Sequence, residues 1–188
     1  MPEIKQLSPH VVNKIAAGEV VERPASMVKE LVENAIDAGA DRIAVTLREG
    51  GTAEVRVVDN GCGISPEQLL LAVTSHATSK IESDDDLFDV ATLGFRGEAL
   101  ASISSVAHLN IRSRTATSDA GAELQVDGGS IGTVKPIAAA VGTTISVSDL
   151  FFNTPVRRKF LRTIRTELSH CTETITRLAL AHPQIHFS

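Results

Sequence analysis

Residues 24–38, Pro-Ala-Ser-Met-Val-Lys-Glu-Leu-Val-Glu-Asn-Ala-Ile-Asp-Ala, constrain the fold more than any other stretch. Pro24 sits where a helix accepts proline, at the first position, where its missing N–H costs nothing. Gly39 supplies a left-handed stop just past the end. At about 100° per residue, Val28, Leu31, Val32, Ala35 and Ile36 gather on one face. Glu30, Asn34 and Asp37 fall on the opposite face, with Glu33 at its edge. A carboxylate and a carboxamide one turn apart suit a magnesium-bound phosphate: the amide oxygen ligates the metal and the carboxylate serves as base for a water. The same pattern describes the wet side of any amphipathic helix. The helix alone leaves both readings open.

The rest of the chain supplies strands for this helix to cover. Residues 42–48 alternate, with Ile43, Val45 and Leu47 on one side; Gly50-Gly51 turns the chain, and 53–58 returns with Val55 and Val57 inward. So short a connection makes the pair an antiparallel hairpin. Ser65-Pro66-Glu67-Gln68 reads as a capping box opening a helix to about residue 73. Periodicity then fades over 74–95, as in a functional lid or a disordered segment. Gly94 to Glu98 feed a helix to about residue 105, and strands are expected over 107–112, 122–127, 131–137 and 143–148. Asp127-Gly128-Gly129 joins the middle two. Thr154-Pro155 starts a helix, and a last helix over 165–181 carries Leu168, Cys171, Ile175 and Leu178 on one face. A short helix is also expected over 8–17. Residues 185–188 read as the opening of a strand, as in a piece of a longer protein.

Several chemistries are excluded or disfavoured. No Gly-Lys dipeptide occurs, so there is no P-loop, and no G-x-G-x-x-G or H-E-x-x-H is present. Pro183 separates His182 from His186, and Cys62 and Cys171 lack metal-like spacing, which argues against zinc and against a disulfide framework. No apolar run is long enough to cross a bilayer. With a net charge of −5, only a local basic patch suits nucleic acid; Arg157, Arg158, Lys159, Arg162 and Arg165 form the one cluster, which a solvated helix face explains equally well.

The remaining candidates are short motifs. Asp59-x-Gly61-x-Gly63 ends a strand: an aspartate there can accept from an exocyclic base amine, and glycines admit a planar ring, although a plain glycine turn has the same form. Gly94 to Glu98 precede a helix N-terminus, a natural anion site. Thr78, Ser79 and Lys80 offer a phosphate contact or are surface loop, and Thr143 offers a hydroxyl to a buried aspartate or is a plain strand threonine.

In this order, Glu30-x-x-x-Asn34, Asp59-x-Gly61-x-Gly63, Gly94-Phe95-Arg96-Gly97-Glu98-Ala99-Leu100 and Gly142-Thr143-Thr144 resemble the motif series of the GHKL ATPases. The phrases over 15–24, 32–39, 76–80, 94–105 and 152–160 resemble more closely the N-terminal ATPase domain of the MutL mismatch-repair family. The resemblance implies an α/β two-layer sandwich, the GHKL (Bergerat) ATP-binding fold, with helices on one face of a mixed, mostly antiparallel sheet. It implies ATP and Mg²⁺: Glu30 as general base, Asn34 as metal ligand, and Asp59 on the adenine amine with Gly61, Gly63 and Thr143 beside it. Thr78, Ser79 and Lys80 would belong to a lid, and Gly94 to Leu100 would hold phosphates.

It further implies a nucleotide switch in DNA mismatch repair, mismatch-recognition and downstream repair proteins as partners, and weak DNA contact through the cluster at 157–165. ATP-dependent homodimerisation of the full-length protein is expected, with no membrane association. The location would be cytoplasmic in a bacterium or nuclear in a eukaryote. The whole chain would be one ATPase subdomain. In the family a second subdomain follows, supplying a lysine to the γ-phosphate, and then a C-terminal dimerisation domain, so weak, lid-gated hydrolysis is expected. A catalytically silent matchmaker and another GHKL activity remain as alternatives.

Overall fold

Helix α1 runs Pro24–Asp37, with proline in its first turn as expected. The computed structural model describes residues 20–74 and 99–188; the expected helix over 8–17 and nearly all of the irregular stretch over 74–95 lie outside them. The end of α1 is a Schellman motif: Gly39, at φ 74°, donates to the Ile36 carbonyl at 2.9 Å and Ala40 to that of Ala35 at 3.2 Å. Val28, Leu31, Val32 and Ala35 are buried as expected, but so are Met27 and Glu33, while Ile36 is only half-buried. The buried arc is wider than an amphipathic stripe because two elements cover α1, the sheet on one side and the C-terminal helix on another. Glu33 accepts from Lys29 Nζ at 3.0 Å, which keeps its buried carboxylate paired.

Strands β1 (Arg42–Arg48) and β2 (Glu54–Asp59) form the expected antiparallel hairpin, joined by a 3₁₀ turn at Glu49–Gly51. Helix α2 (Pro66–Ala72) follows. Its capping differs from expectation, because the Ser65 side chain makes no cap bond to the helix amides. The Glu67 carboxylate instead accepts from its own backbone N–H and from the Ser65 hydroxyl, which lowers its pKa below the ordinary value. Helix α3 (Ala99–Val106) leads into β3 (His108–Arg114), which ends two residues later than the alternation suggested, and β4 (Gly121–Asp127).

The strand expected over 131–137 is two pieces, β5 (Ser130–Ile131) and β6 (Lys135–Ile137), both paired to β4. Gly132 still bonds Gln125 beyond β5, the run breaks over 132–134, and Pro136, which has no N–H to give a ladder, is accommodated in β6 at the edge. β7 (Gly142–Ser148) follows, then α4 (Pro155–Phe160), α5 (Ile164–Ala181) and β8 (His186–Phe187).

The sheet order is β5-β4-β3-β7-β2-β1-β8 with β6 also beside β4; every pairing is antiparallel except β1 with β8. Inward residues Val55, Val57, Leu109, Ile111, Leu124, Val126, Ile145 and Val147 are buried beneath the helices, while Arg56, Arg112 and Gln125 face outward and are exposed. The mixed sheet with one covered face matches the expected two-layer fold. Helix α5 turns differently from expectation. Cys171 is buried, and Ile175 and Leu178 pack on the core, but Leu168 is 44% exposed and Glu167 is buried instead. Glu167 Oε1 accepts the Arg162 N–H at 2.8 Å, which draws that side chain under the helix start.

Candidate functional site

The sheet places Asp59, Thr143 and Ser113 in one row across three adjacent strands. Thr143 pairs directly with Asp59 on β2 and with Ser113 on β3. Asp59 Oδ1 accepts from the Gly61 backbone N–H at 2.8 Å and from the Thr143 backbone N–H at 3.3 Å. Among the described residues, both bonds reach the same oxygen. Burial pushes the Asp59 pKa above the ordinary carboxylate value, and the two amide bonds oppose that rise. An aspartate held by one oxygen at a strand end is equipped to accept through the other.

Thr143 occupies its expected place with a different bond. Its backbone amide, not its hydroxyl, reaches Asp59; the hydroxyl lies 2.9 Å from Ser113 Oγ. Ser113 is 1% exposed, accepts from the Ile64 N–H at 2.8 Å and donates to the Gly142 carbonyl at 2.9 Å. It ties the glycine loop after β2 to the start of β7, and the sequence reading missed it. The available signal was its phase: two residues past Ile111, Ser113 continues the inward face, where a polar side chain needs partners.

Gly61 and Gly63 sit in this loop, and the protein itself accounts for their identity. A Cβ on Gly63 would stand 2.2 Å from the Arg114 carbonyl oxygen, and its φ is +75°. A Cβ on Gly61 would stand 2.8 Å from that of Ala38. The loop is therefore clamped between the end of α1 and the end of β3, with the Cys62 N–H donating to the Ala38 carbonyl at 2.9 Å. Asn60 completes the clamp, accepting from the Asp41 and Arg42 amides at 3.1 and 2.9 Å.

On α1, Glu30 and Asn34 are both half-exposed, one turn apart, and Asp37 is exposed. Lys29 Nζ lies 3.9 Å from Glu30 Oε1. Ala99 and Leu100 form the first turn of α3, which packs on α1, β3 and β4. Thr78, Ser79, Lys80, Gly94, Phe95, Arg96, Gly97 and Glu98 lie outside the described residues. No cluster of three or more His, Cys, Asp or Glu side chains able to hold a metal occurs among the described residues. One neutral carboxamide is too poor a donor set for a resident ion. Asn34 fits a magnesium ion that arrives already bound to phosphates and water.

In the basic cluster, Arg158, Lys159, Arg162 and Arg165 are exposed, whereas Arg157 turns inward. Its guanidinium lies 4.3 Å from the Phe151 ring centroid and donates to the Val21 carbonyl, and burial lowers its pKa. A cleft of about 470 Å³ lined by Arg114, Asp119, Pro136 and Ile137 contains none of the expected residues.

A one-sided mixed sheet, a helix carrying Glu30 and Asn34, and an aspartate at the end of the adjoining strand define a nucleotide-binding fold without a P-loop. Residues 22–140 match the family model described as histidine kinase-, DNA gyrase B- and HSP90-like ATPase, and the chain belongs to that family. Within it, the chain is similar to DNA mismatch repair protein MutL of Xanthomonas campestris pv. campestris, 59% identical over 182 residues, 97% of this chain and 29% of the relative. MutL of Shouchella clausii is 56% identical over 187 residues, covering 100% of this chain and 28% of the relative. Among solved structures, the Aquifex aeolicus MutL ATPase domain complexed with ADP superposes with a TM-score of 0.72 at 38% identity, covering 89% of this chain and 59% of that one. The chain thus spans less than a third of these curated relatives' length. The resemblance read from the sequence is borne out, and so is the fold.

Proposed function

We propose that this chain binds ATP on the helical side of its sheet and serves as the nucleotide switch of a MutL-type DNA mismatch repair protein. The observation that carries the reading is Asp59, held at the end of β2 by two backbone amides on one oxygen, in register with Thr143 and beside the end of α1. Asp59 accepts from the adenine amine, with Gly61, Gly63 and Thr143 setting its position. Glu30 orients the attacking water. Asn34 holds magnesium, which neutralises phosphate charge when bound. The same reading assigns phosphate contacts to Gly94 to Leu100 and to Thr78, Ser79 and Lys80, of which Ala99 and Leu100 lie among the described residues. The ADP complex of the Aquifex aeolicus domain supports nucleotide as the ligand.

Hydrolysis is slow and gated by closure, because phosphoryl transfer of this kind depends on positioning and charge. ATP-bound closure changes affinity for repair partners and for a second copy of the full-length protein. Arg158, Lys159, Arg162 and Arg165 offer DNA a weak contact that needs the rest of the protein. The curated relatives are bacterial, which supports a cytoplasmic reading of this activity; among the described residues no helix is long and apolar enough to cross a membrane. Glu30→Ala tests the assignment of roles. Nucleotide affinity should survive while phosphate release falls to background; equal loss of both would remove Glu30 from the base role, and unchanged turnover would mean that the chemistry lies elsewhere.

A further inference from the structure

Arg114, the last residue of β3, is a charged group that the nucleotide reading leaves unused. Its main chain is held from two sides, paired with Gly142 on β7 and with its carbonyl close against Gly63. Its side chain follows the pleat away from buried Ser113, so the stem leaves the sheet on the face opposite the helices. Arg114 is half-buried, and its Nε is shut off from solvent without a hydrogen-bond acceptor. Exposed Asp119 lines the same cleft of about 470 Å³ but lies beyond hydrogen-bonding reach of that nitrogen. A cation drawn partly out of water without a counter-charge is costly until something anionic meets it.

The walls of the cleft decide what can enter it. Pro136, Ile137 and Ala139 bring no hydrogen-bonding side chain. At Gly121 an added Cβ would stand 2.7 Å from that of Ala139 and 3.4 Å from that of Arg114, so the glycine lets the apolar wall close in beside the arginine. With Nε enclosed, a ligand meets the terminal edge of the guanidinium, whose paired N–H groups match the two oxygens of a carboxylate. Asp119 opposes a second negative charge, which disfavours a phosphate dianion. We propose that this cleft is a second ligand site, apart from the nucleotide site, which takes a monocarboxylate on an apolar body through Arg114. The carboxylate pairs with the guanidinium, and the body lies against Pro136, Ile137 and Ala139. A free branched-chain acid and the C-terminus of a peptide both carry this chemistry.

The test is titration of the chain, with nitrogen-labelled arginine side chains, by isocaproate and by acetylated trialanine, read by NMR at the Arg114 Nε–H. A saturable shift is expected, with binding about tenfold weaker for the amide of the same probe. Saturation by isocaproate alone assigns the site to free acids, by the peptide alone to a C-terminus, and by both to the group they share. Arg114→Lys should weaken binding about tenfold. Asp119→Asn, at an exposed loop position, should strengthen it. No saturable shift with either probe, equal binding of acid and amide, or weaker binding in Asp119→Asn would overturn the inference. Tighter binding of inorganic phosphate than of isocaproate would overturn the carboxylate assignment. Displacement of the probe by a non-hydrolysable ATP analogue would merge the cleft with the nucleotide site and overturn its separateness. The nucleotide reading stands or falls on its own titration, whichever of these is observed.

Discussion

Thr143 gives its backbone N–H to Asp59 Oδ1 at 3.3 Å across the β2–β7 pair, so the carboxylate is aimed by the strand beside it as well as by its own turn through Gly61. The local turn and the neighbouring strand together fix the direction of the candidate base-recognition group.

Replacing that carboxylate separates recognition from stability. Asp59→Asn keeps the size but loses half of the acceptor capacity, and should weaken ATP affinity about 10- to 100-fold. Stability should move the other way. The folded-state pKa of Asp59 is raised, so its protonated form is favoured on folding; that stability is fully present below the unfolded pKa and is lost as pH rises through the folded one. Urea titrations should therefore show the variant gaining on the unmutated chain as pH rises from below 3.8 toward neutrality. A variant that loses ground over that window would contradict the burial argument.

Two glycines with nearly the same φ should respond very differently to alanine. Gly39 has φ +74° with nothing within 4 Å of an added Cβ, so Gly39→Ala carries only the left-handed penalty, about 1 kcal/mol. Gly63 adds a 2.2 Å clash with the Arg114 carbonyl to the same penalty, and should cost roughly 3 kcal/mol or more. Chemical denaturation of both variants checks the difference. Equal costs would mean that the loop between β2 and α2 is not clamped as described.

The basic cluster should divide in the same way. Arg157→Met removes the stack on Phe151 and the bond to Val21, for a loss of about 2 kcal/mol. Single substitutions at Arg158, Lys159, Arg162 or Arg165 should stay within about 0.5 kcal/mol. If those four face DNA, reversing their charge should weaken binding to a short duplex and flatten its salt dependence, without lowering the melting temperature.

Local grammar made much of this fold legible in the sequence. The Pro24 start and Gly39 stop set α1, and two-residue alternation set the β1–β2 hairpin and the inward residues of β7. Burial of charged side chains was not legible, because it depends on distant partners. Glu33 reads as a wet-edge position yet is buried and paired with Lys29, and Glu167 is drawn in by an amide outside its own helix. Ser113 escaped for a similar reason: its three partners come from the loop after β2 and the start of β7, and the alternation was ended one residue before it. Asp59 stood out only within the motif series, because a strand-end aspartate before two glycines has by itself the form of a plain turn. Thr143 reaches Asp59 through its backbone amide, which the sequence does not distinguish from a hydroxyl contact of the same residue.

The central claim is a magnesium-nucleotide site built on α1 and the end of β2. Its most direct test is calorimetric titration of the 188-residue chain with a non-hydrolysable ATP analogue, with and without Mg²⁺, alongside Asn34→Ala and Asp59→Asn. Binding that strengthens with Mg²⁺, loses that dependence in Asn34→Ala and collapses in Asp59→Asn is the predicted result. Binding that is indifferent to all three changes would place the nucleotide elsewhere on the molecule and contradict the account.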